Sequence, residues 1–214
     1  FTLPVRGPVH PSCRMSPILR SCFTALGFVF VVVAHAASPR TLEIREGDHI
    51  CLVGNTLAER LQHHNHWESL LHQRFPQHRL VVRNLAWAAD EVVLRPRAEG
   101  FGDPDEHLTF SKADVVIAFF GFNESFAGPA GLASFKADLD AWLTATLKAN
   151  YNGKGAPRVA LVSPIAHENL RNPHLPDGSA NNRNLELYTE AMRALASKHG
   201  VAFADVFHPT RALF

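Results

Sequence analysis

Apolar runs alternate with amphipathic stretches from Ala37 to the end of the chain. His49-Ile-Cys-Leu-Val-Gly54 is a short apolar run closed by glycine and reads as a strand. Arg79 to Asn84, Ala113 to Gly121, Arg158 to Pro164 and Val201 to Phe207 read the same way. The run around Val115 is apolar without interruption, which predicts burial on both faces. Between the runs, the spacing turns helical. Thr56 to His72 carries Leu57, Leu61, Trp67, Leu70 and Leu71. Gly131 to Ala149 places Leu132, Phe135, Leu139, Trp142 and Leu143 on one face, and Asn152-Gly-Lys-Gly155 breaks it. Arg171 to Asn181 is a loop rich in Pro, Asn and Gly. Asn182 to His199 is a further helix, with Leu185, Tyr188, Met192 and Leu195 inward and Gly200 as its stop. Strands and helices in alternation predict an α/β protein, a parallel sheet of five strands covered on both faces. In such sheets chemistry lies beyond the carboxyl ends of the strands. The positions to examine follow Val53, Asn84, Phe120, Val162 and Phe207.

Composition bounds the picture. The chain has 214 residues, 46% hydrophobic and 19% charged, with a formal net charge of +1. That suits one domain with a real core, and gives no electrostatic case for nucleic acid or an anionic membrane surface. The N-terminal part follows another grammar. Arg14 and Arg20 flank Met15, the 12-residue apolar run Cys22–Val33 follows, and Ala34-His-Ala36 is a small-x-small cleavage pattern. Residues 15–36 therefore read as a signal peptide. The alternative, a retained anchor, is disfavoured because a bilayer needs about 20 apolar residues. Met15 is the first methionine, so residues 1–14 read as translated upstream sequence. The expectation is a secreted or periplasmic protein. Cleavage after Ala36 would leave Cys51 as the only cysteine, with no intramolecular disulfide.

Three strand ends carry candidate chemistry. Gly54-Asn-Thr-Leu57 follows the first strand, Asn84-Leu-Ala-Trp-Ala-Ala-Asp90 the second, and Gly121-Phe-Asn-Glu124 the third. In this order the segments resemble the SGNH (GDSL-like) hydrolase family, over roughly residues 47–214. That family has Gly-Asp-Ser-Leu, Asn-x-x-x-Ser-Gly-Asp and Gly-x-Asn-Asp at these places. The resemblance implies a three-layer α/β/α sandwich with a flavodoxin-like parallel five-stranded sheet. It implies ester hydrolysis, with Thr56 in place of the nucleophilic serine and Asn123 and the Ala89 N–H as oxyanion donors. Asn55, Glu124 and His167 are the candidate substrate-binding residues. A hydroxyl at a helix N-terminus sits among free backbone N–H groups, which favour an alkoxide and an oxyanion. Threonine keeps the hydroxyl but its methyl crowds the approach. Alanine at position 89 is costly if that site needs positive φ. A plainer role for Thr56 is that of helix N-cap.

The family's base is a histidine in an Asp-x-x-His segment before the last helix. Asp205-Val-Phe-His208 has that spelling, but Asp205 falls within the apolar run Val201–Phe207, and only Pro209–Phe214 follow. The resemblance then implies that the working segment lies beyond Phe214 and that residues 37–214 are a truncated esterase domain, with His208 as the lesser alternative. His63, His64, His66 and His72 match no common zinc spacing and read as a solvated helix face. No metal or other cofactor is expected. Trp67, Trp87 and Trp142 read as core or pocket wall. Three functions stay open. One is a secreted esterase acting on a carbohydrate or other small-molecule ester. A second is a catalytically silent module binding such ligands. The third is a structural segment of a longer envelope protein.

Overall fold

The computed structural model describes residues 40–96 and 100–214. The signal peptide and the upstream segment expected from the sequence lie outside the described residues. Five strands, β1 (His49–Gly54), β2 (Val81–Asn84), β3 (Val115–Phe119), β4 (Arg158–Val162) and β5 (Ala202–Ala204), form one sheet in the order β2-β1-β3-β4-β5. Every pairing is parallel. The register sets Ile50 and Gly54 against Val115 and Phe119, and Val115 and Phe119 against Arg158 and Val162.

Side-chain alternation along these strands builds two cores. Cys51, Val53, Val116, Ala118, Val159 and Leu161 face one way, against α4 (Gly128–Thr146) and α5 (Ser179–His199), with Leu108 of α3 (Pro104–Phe110). Ile50, Leu52, Val115, Ile117, Phe119, Ala160 and Val162 face the other way, against Leu57 and Leu61 of α1 (Thr56–His64) and Trp67 and Leu71 of α2 (His66–Arg74). The result is the expected three-layer α/β/α sandwich. Leu139 and Leu143 of α4 and Leu185, Tyr188 and Met192 of α5 are fully buried, as their spacing predicts. Among the described residues no helix is long and apolar enough to cross a membrane.

The structure corrects several boundaries. The single helix expected over Thr56–His72 is two helices. Asn65 takes a left-handed conformation (φ 56°), closing α1 and opening α2. Asparagine tolerates that region better than most residues. α3 escaped the periodicity because it is seven residues long and buries one side chain, Leu108. The run Val201–Phe207 is not one strand. β5 stops at Ala204, Asp205 lies in the connection, and α6 (Phe207–Leu213) follows at once. That helix has no side-chain cap of its own. Its start is secured from β4, where the buried Ser163 hydroxyl accepts the Val206 and Phe207 N–H groups at 2.9 and 3.0 Å. Trp67 and Trp142 pack against the cores, but Trp87 is exposed.

Candidate active site

Gly54 ends β1 at φ +113°, and a Cβ there would lie 2.1 Å from the Phe119 carbonyl oxygen. Only glycine permits this approach of β1 to β3 at the turn into α1. The Asn55 N–H donates to the same carbonyl at 2.9 Å. The Asn55 side chain is buried, and its oxygen accepts the Leu57 N–H at 3.3 Å, so Asn55 and not Thr56 is the N-cap of α1. Thr56 is the first helical residue, half-buried, at the positive end of the helix dipole. Its hydroxyl makes no hydrogen bond to any described residue.

The segment after β2 is sewn to the β1 end by Leu85 N–H to Leu52 oxygen (2.8 Å) and Trp87 N–H to Gly54 oxygen (2.9 Å). Asn84 fixes its start. The side-chain amide donates to the Ala58 carbonyl of α1 at 2.7 Å, and its oxygen accepts the Ala86 N–H at 3.1 Å. Ala89 follows, exposed, at φ +70°. This is the strained geometry for which the family's glycine is suited. Beside this segment Val53, Leu85, Asp90, Arg95, Phe101 and His107 line a recess of about 30 Å³, room for roughly one water. Arg95 donates to the Glu91 and Val92 carbonyls and lies over the Phe120 ring at 5.2 Å, and burial lowers its pKa.

After β3, Gly121 turns the chain at φ +91°. Asn123 precedes a 3-10 turn over Glu124–Ala127, and its Nδ2 is shielded from solvent with no hydrogen-bond partner among the described residues. Glu124 faces inward, where its two carboxylate oxygens accept the Val92 and Gly121 N–H groups. Burial raises its pKa, against the opposing pull of those N–H groups. After β4, the backbone of His167 is clamped by the buried Asn182 side chain, which accepts the His167 N–H (2.8 Å) and donates to its carbonyl (2.9 Å). The ring nitrogen Nδ1 lies 3.0 Å from Asn181 Nδ2. A Cβ on Gly178 would come within 2.9 Å of the His167 ring, so this glycine makes room for it.

After β5, Asp205 and His208 do form a pair, Nδ1 to Oδ2 at 2.7 Å, and Arg193 holds the same carboxylate. The ring is half exposed. In the sheet order, β5 lies three strand spacings from β1, about 14 Å. Thr56, Ala89 and Asn123, in contrast, spring from three adjacent strands. The four histidines of α1 and α2 face solvent, His63 against Glu59 and His72 against Glu68. Among the described residues no group of three or more His, Cys, Asp or Glu could hold a metal. The sequence reading missed Ser163, Arg95 and the holding role of Glu124. Ser163 meets its Phe207 partner 44 residues away and Glu124 meets Val92 32 residues away, whereas the Arg95 bonds to Glu91 and Val92 are local but belong to no regular element.

The Thr56, Ala89 and Asn123 segments thus follow the carboxyl ends of three neighbouring parallel strands, with Thr56 at a glycine turn and a helix start. The profile of the GDSL-like lipase/acylhydrolase family matches residues 47–213. The chain belongs to this family. No curated protein sequence matches it significantly. Among solved structures, this GDSL-like chain is similar to a gut microbial diltiazem-metabolizing enzyme (TM-score 0.63, 17% identity), covering 81% of its own length but only 40% of that protein. It is also similar to a catalytic mutant of an acetylxylan esterase from Geobacillus stearothermophilus (TM-score 0.58, 15% identity, 79% and 81% covered). A third is a GDSL-like lipase from Parabacteroides merdae (TM-score 0.58, 16% identity, 77% and 79% covered). At these identities the likeness is one of fold.

Proposed function

We propose that the chain is an ester hydrolase acting outside the cytoplasm. Thr56 is its nucleophile, and the Thr56 N–H, Ala89 N–H and Asn123 amide are its oxyanion donors. One observation carries this reading. Among the described residues Asn123 Nδ2 is hidden from solvent without an acceptor, while the unbonded Thr56 hydroxyl sits on the neighbouring strand end. A buried donor left unsatisfied costs about 1–3 kcal/mol, and an arriving carbonyl oxygen would satisfy it. The Thr56 oxygen attacks the ester carbonyl, the alcohol leaves with a proton, and water then releases the acid from the acyl-threonine. The substrate is an acylated carbohydrate or other small ester, a class the family and the acetylxylan esterase among similar structures suggest. His167, whose backbone Asn182 holds after β4, is the further substrate contact in this reading. Asn55 and Glu124 support the site from behind, since their polar atoms already engage backbone N–H groups.

A second reading, a silent binder of the same ligands, is favoured by the lack of any hydrogen bond between Thr56 and a histidine among the described residues. Turnover of p-nitrophenyl acetate and of acetylated xylo-oligosaccharides separates the two. For an enzyme, Thr56→Ala abolishes turnover, Thr56→Ser keeps or raises it by removing the crowding methyl, and Asn123→Ala lowers it by about 10²–10³. For a binder, no variant exceeds background and Thr56→Ala alters affinity little. Turnover lost on His208→Ala would make Asp205 and His208 the working base despite their place after β5.

A further inference from the structure

The two loops that carry the donor candidates spring from strands that do not touch. β2 and β3 flank β1, and no backbone hydrogen bond among the described residues joins the segment after β2 to the turn after β3. One side chain does. Glu124 Oε1 accepts the Val92 N–H at 3.1 Å, three residues beyond Ala89, and Oε2 accepts the Gly121 N–H at 2.9 Å, two residues before Asn123. We propose that Glu124 is a positioning residue whose ionised carboxylate fixes the Ala89 loop against the Asn123 loop and so sets the spacing of the oxyanion donors. The importance of that spacing rests on the hydrolase reading above; the clamp itself does not.

Chemistry makes the clamp sensitive to one proton. An ionised carboxylate offers acceptors on both oxygens, whereas protonation turns one oxygen into an O–H that confronts an N–H. The surroundings move that proton into reach. Burial raises the Glu124 pKa above its ordinary 4.5, the two N–H groups oppose the rise, and Glu91 adds to it. Among the described residues, the Arg95 guanidinium and the Tyr188 phenol also face it. Since the buried charge is the costly form, protonation favours the fold while loosening the clamp. Function and stability therefore respond in opposite directions as pH falls through this pKa.

The test uses the whole chain, labelled with ¹⁵N. The Val92 and Gly121 amide proton shifts should titrate together, with one midpoint above pH 4.5, and Glu124→Gln should remove that titration. Glu124→Asp, one methylene shorter, should keep one of the two shifts and lose the other. On an active enzyme, Glu124→Gln should lower kcat by on the order of 10–10²-fold with KM little changed, as for a misplacement behind the reacting atoms. Amide shifts that stay flat, or that titrate with separate midpoints, overturn the clamp, and the wild-type titration decides this even if the variants do not fold. Joint titration without ester turnover would leave the clamp standing and defeat the hydrolase reading; turnover without joint titration would do the reverse.

Discussion

Ala89 holds a backbone conformation that an alanine side chain resists. At φ +70° its Cβ crowds the following carbonyl, a cost of about 1–2 kcal/mol that glycine avoids. Glycine in turn gives the unfolded chain more freedom, about 0.4–1 kcal/mol. Ala89→Gly should therefore raise stability by a net of about 0.5–1 kcal/mol, a melting temperature higher by roughly 1–4 °C. The N–H stays where it was, so ester turnover should hold within a few-fold. A lower melting temperature would mean that the loop needs the alanine side chain. This strain was legible in the sequence, because an alanine stands where the resemblance implies glycine. Asn55 was legible only in part. Its place beside Thr56 is local, but its service as the helix cap emerges only from the turn geometry that Gly54 permits.

Elements were legible where one stretch carried its own signal. β1 runs from His49 to Gly54 as its apolar pattern predicts, and α4 and α5 bury the leucines that their spacing marked. α3 had a usable signal of another kind. Asp103, Pro104 and Glu106 form a capping box with proline in the first turn, readable without any apolar period. α6 had little. At its start Asp205 accepts the His208 N–H at 3.1 Å, but the Val206 and Phe207 N–H groups are met by Ser163, 44 residues before Phe207, and Thr210 returns the tie by accepting the Ala166 N–H at 2.9 Å. Ser163→Ala would leave the Val206 and Phe207 N–H groups without an acceptor in a buried position. The expected loss is about 2 kcal/mol. Hydrogen exchange should accelerate at Val206 and Phe207 before it does in β3. Unchanged protection at those two amides would show that α6 is held by the packing of Phe207 against Ala166, Leu185 and Phe122 alone.

Across the whole molecule, the alternation of strand and helix was enough to announce a parallel sheet with two covered faces, because each inward side chain had to find a layer. The clamp across β1 was not, since it needs the strand order to bring Val92, Gly121 and Glu124 together. The charge pattern of the fold makes its own prediction. Asp140 is pulled below the ordinary carboxylate range by its bonds from Lys198 and His199, and Glu43 and Glu59 by Arg45 and His63. For Asp205, burial pushes the pKa upward, but the His208 and Arg193 bonds outweigh it and the net shift is down. A carboxylate with a depressed folded pKa stabilises the fold above its unfolded pKa, and that contribution is lost as pH falls through the folded value. Glu124, shifted upward, has the opposite sign, contributing below 4.5 and losing that contribution as pH rises through its folded value. Two difference curves of melting temperature against pH should therefore slope oppositely. Wild type minus Asp140→Asn should be flat well above the ordinary aspartate value of 3.8 and fall as pH drops below it, where the unfolded chain's aspartate takes up protons before the folded one. It should shrink in 1 M salt, because the Lys198 partner of Asp140 is solvent-exposed and salt screens such a pair over about 3 Å. Wild type minus Glu124→Gln should instead rise as pH drops toward 4.5, and should resist salt, because its cause is burial rather than exposed charge. A Glu124 difference curve that falls alongside the Asp140 curve would mean that its carboxylate is stabilised by its N–H partners more than it is penalised by burial.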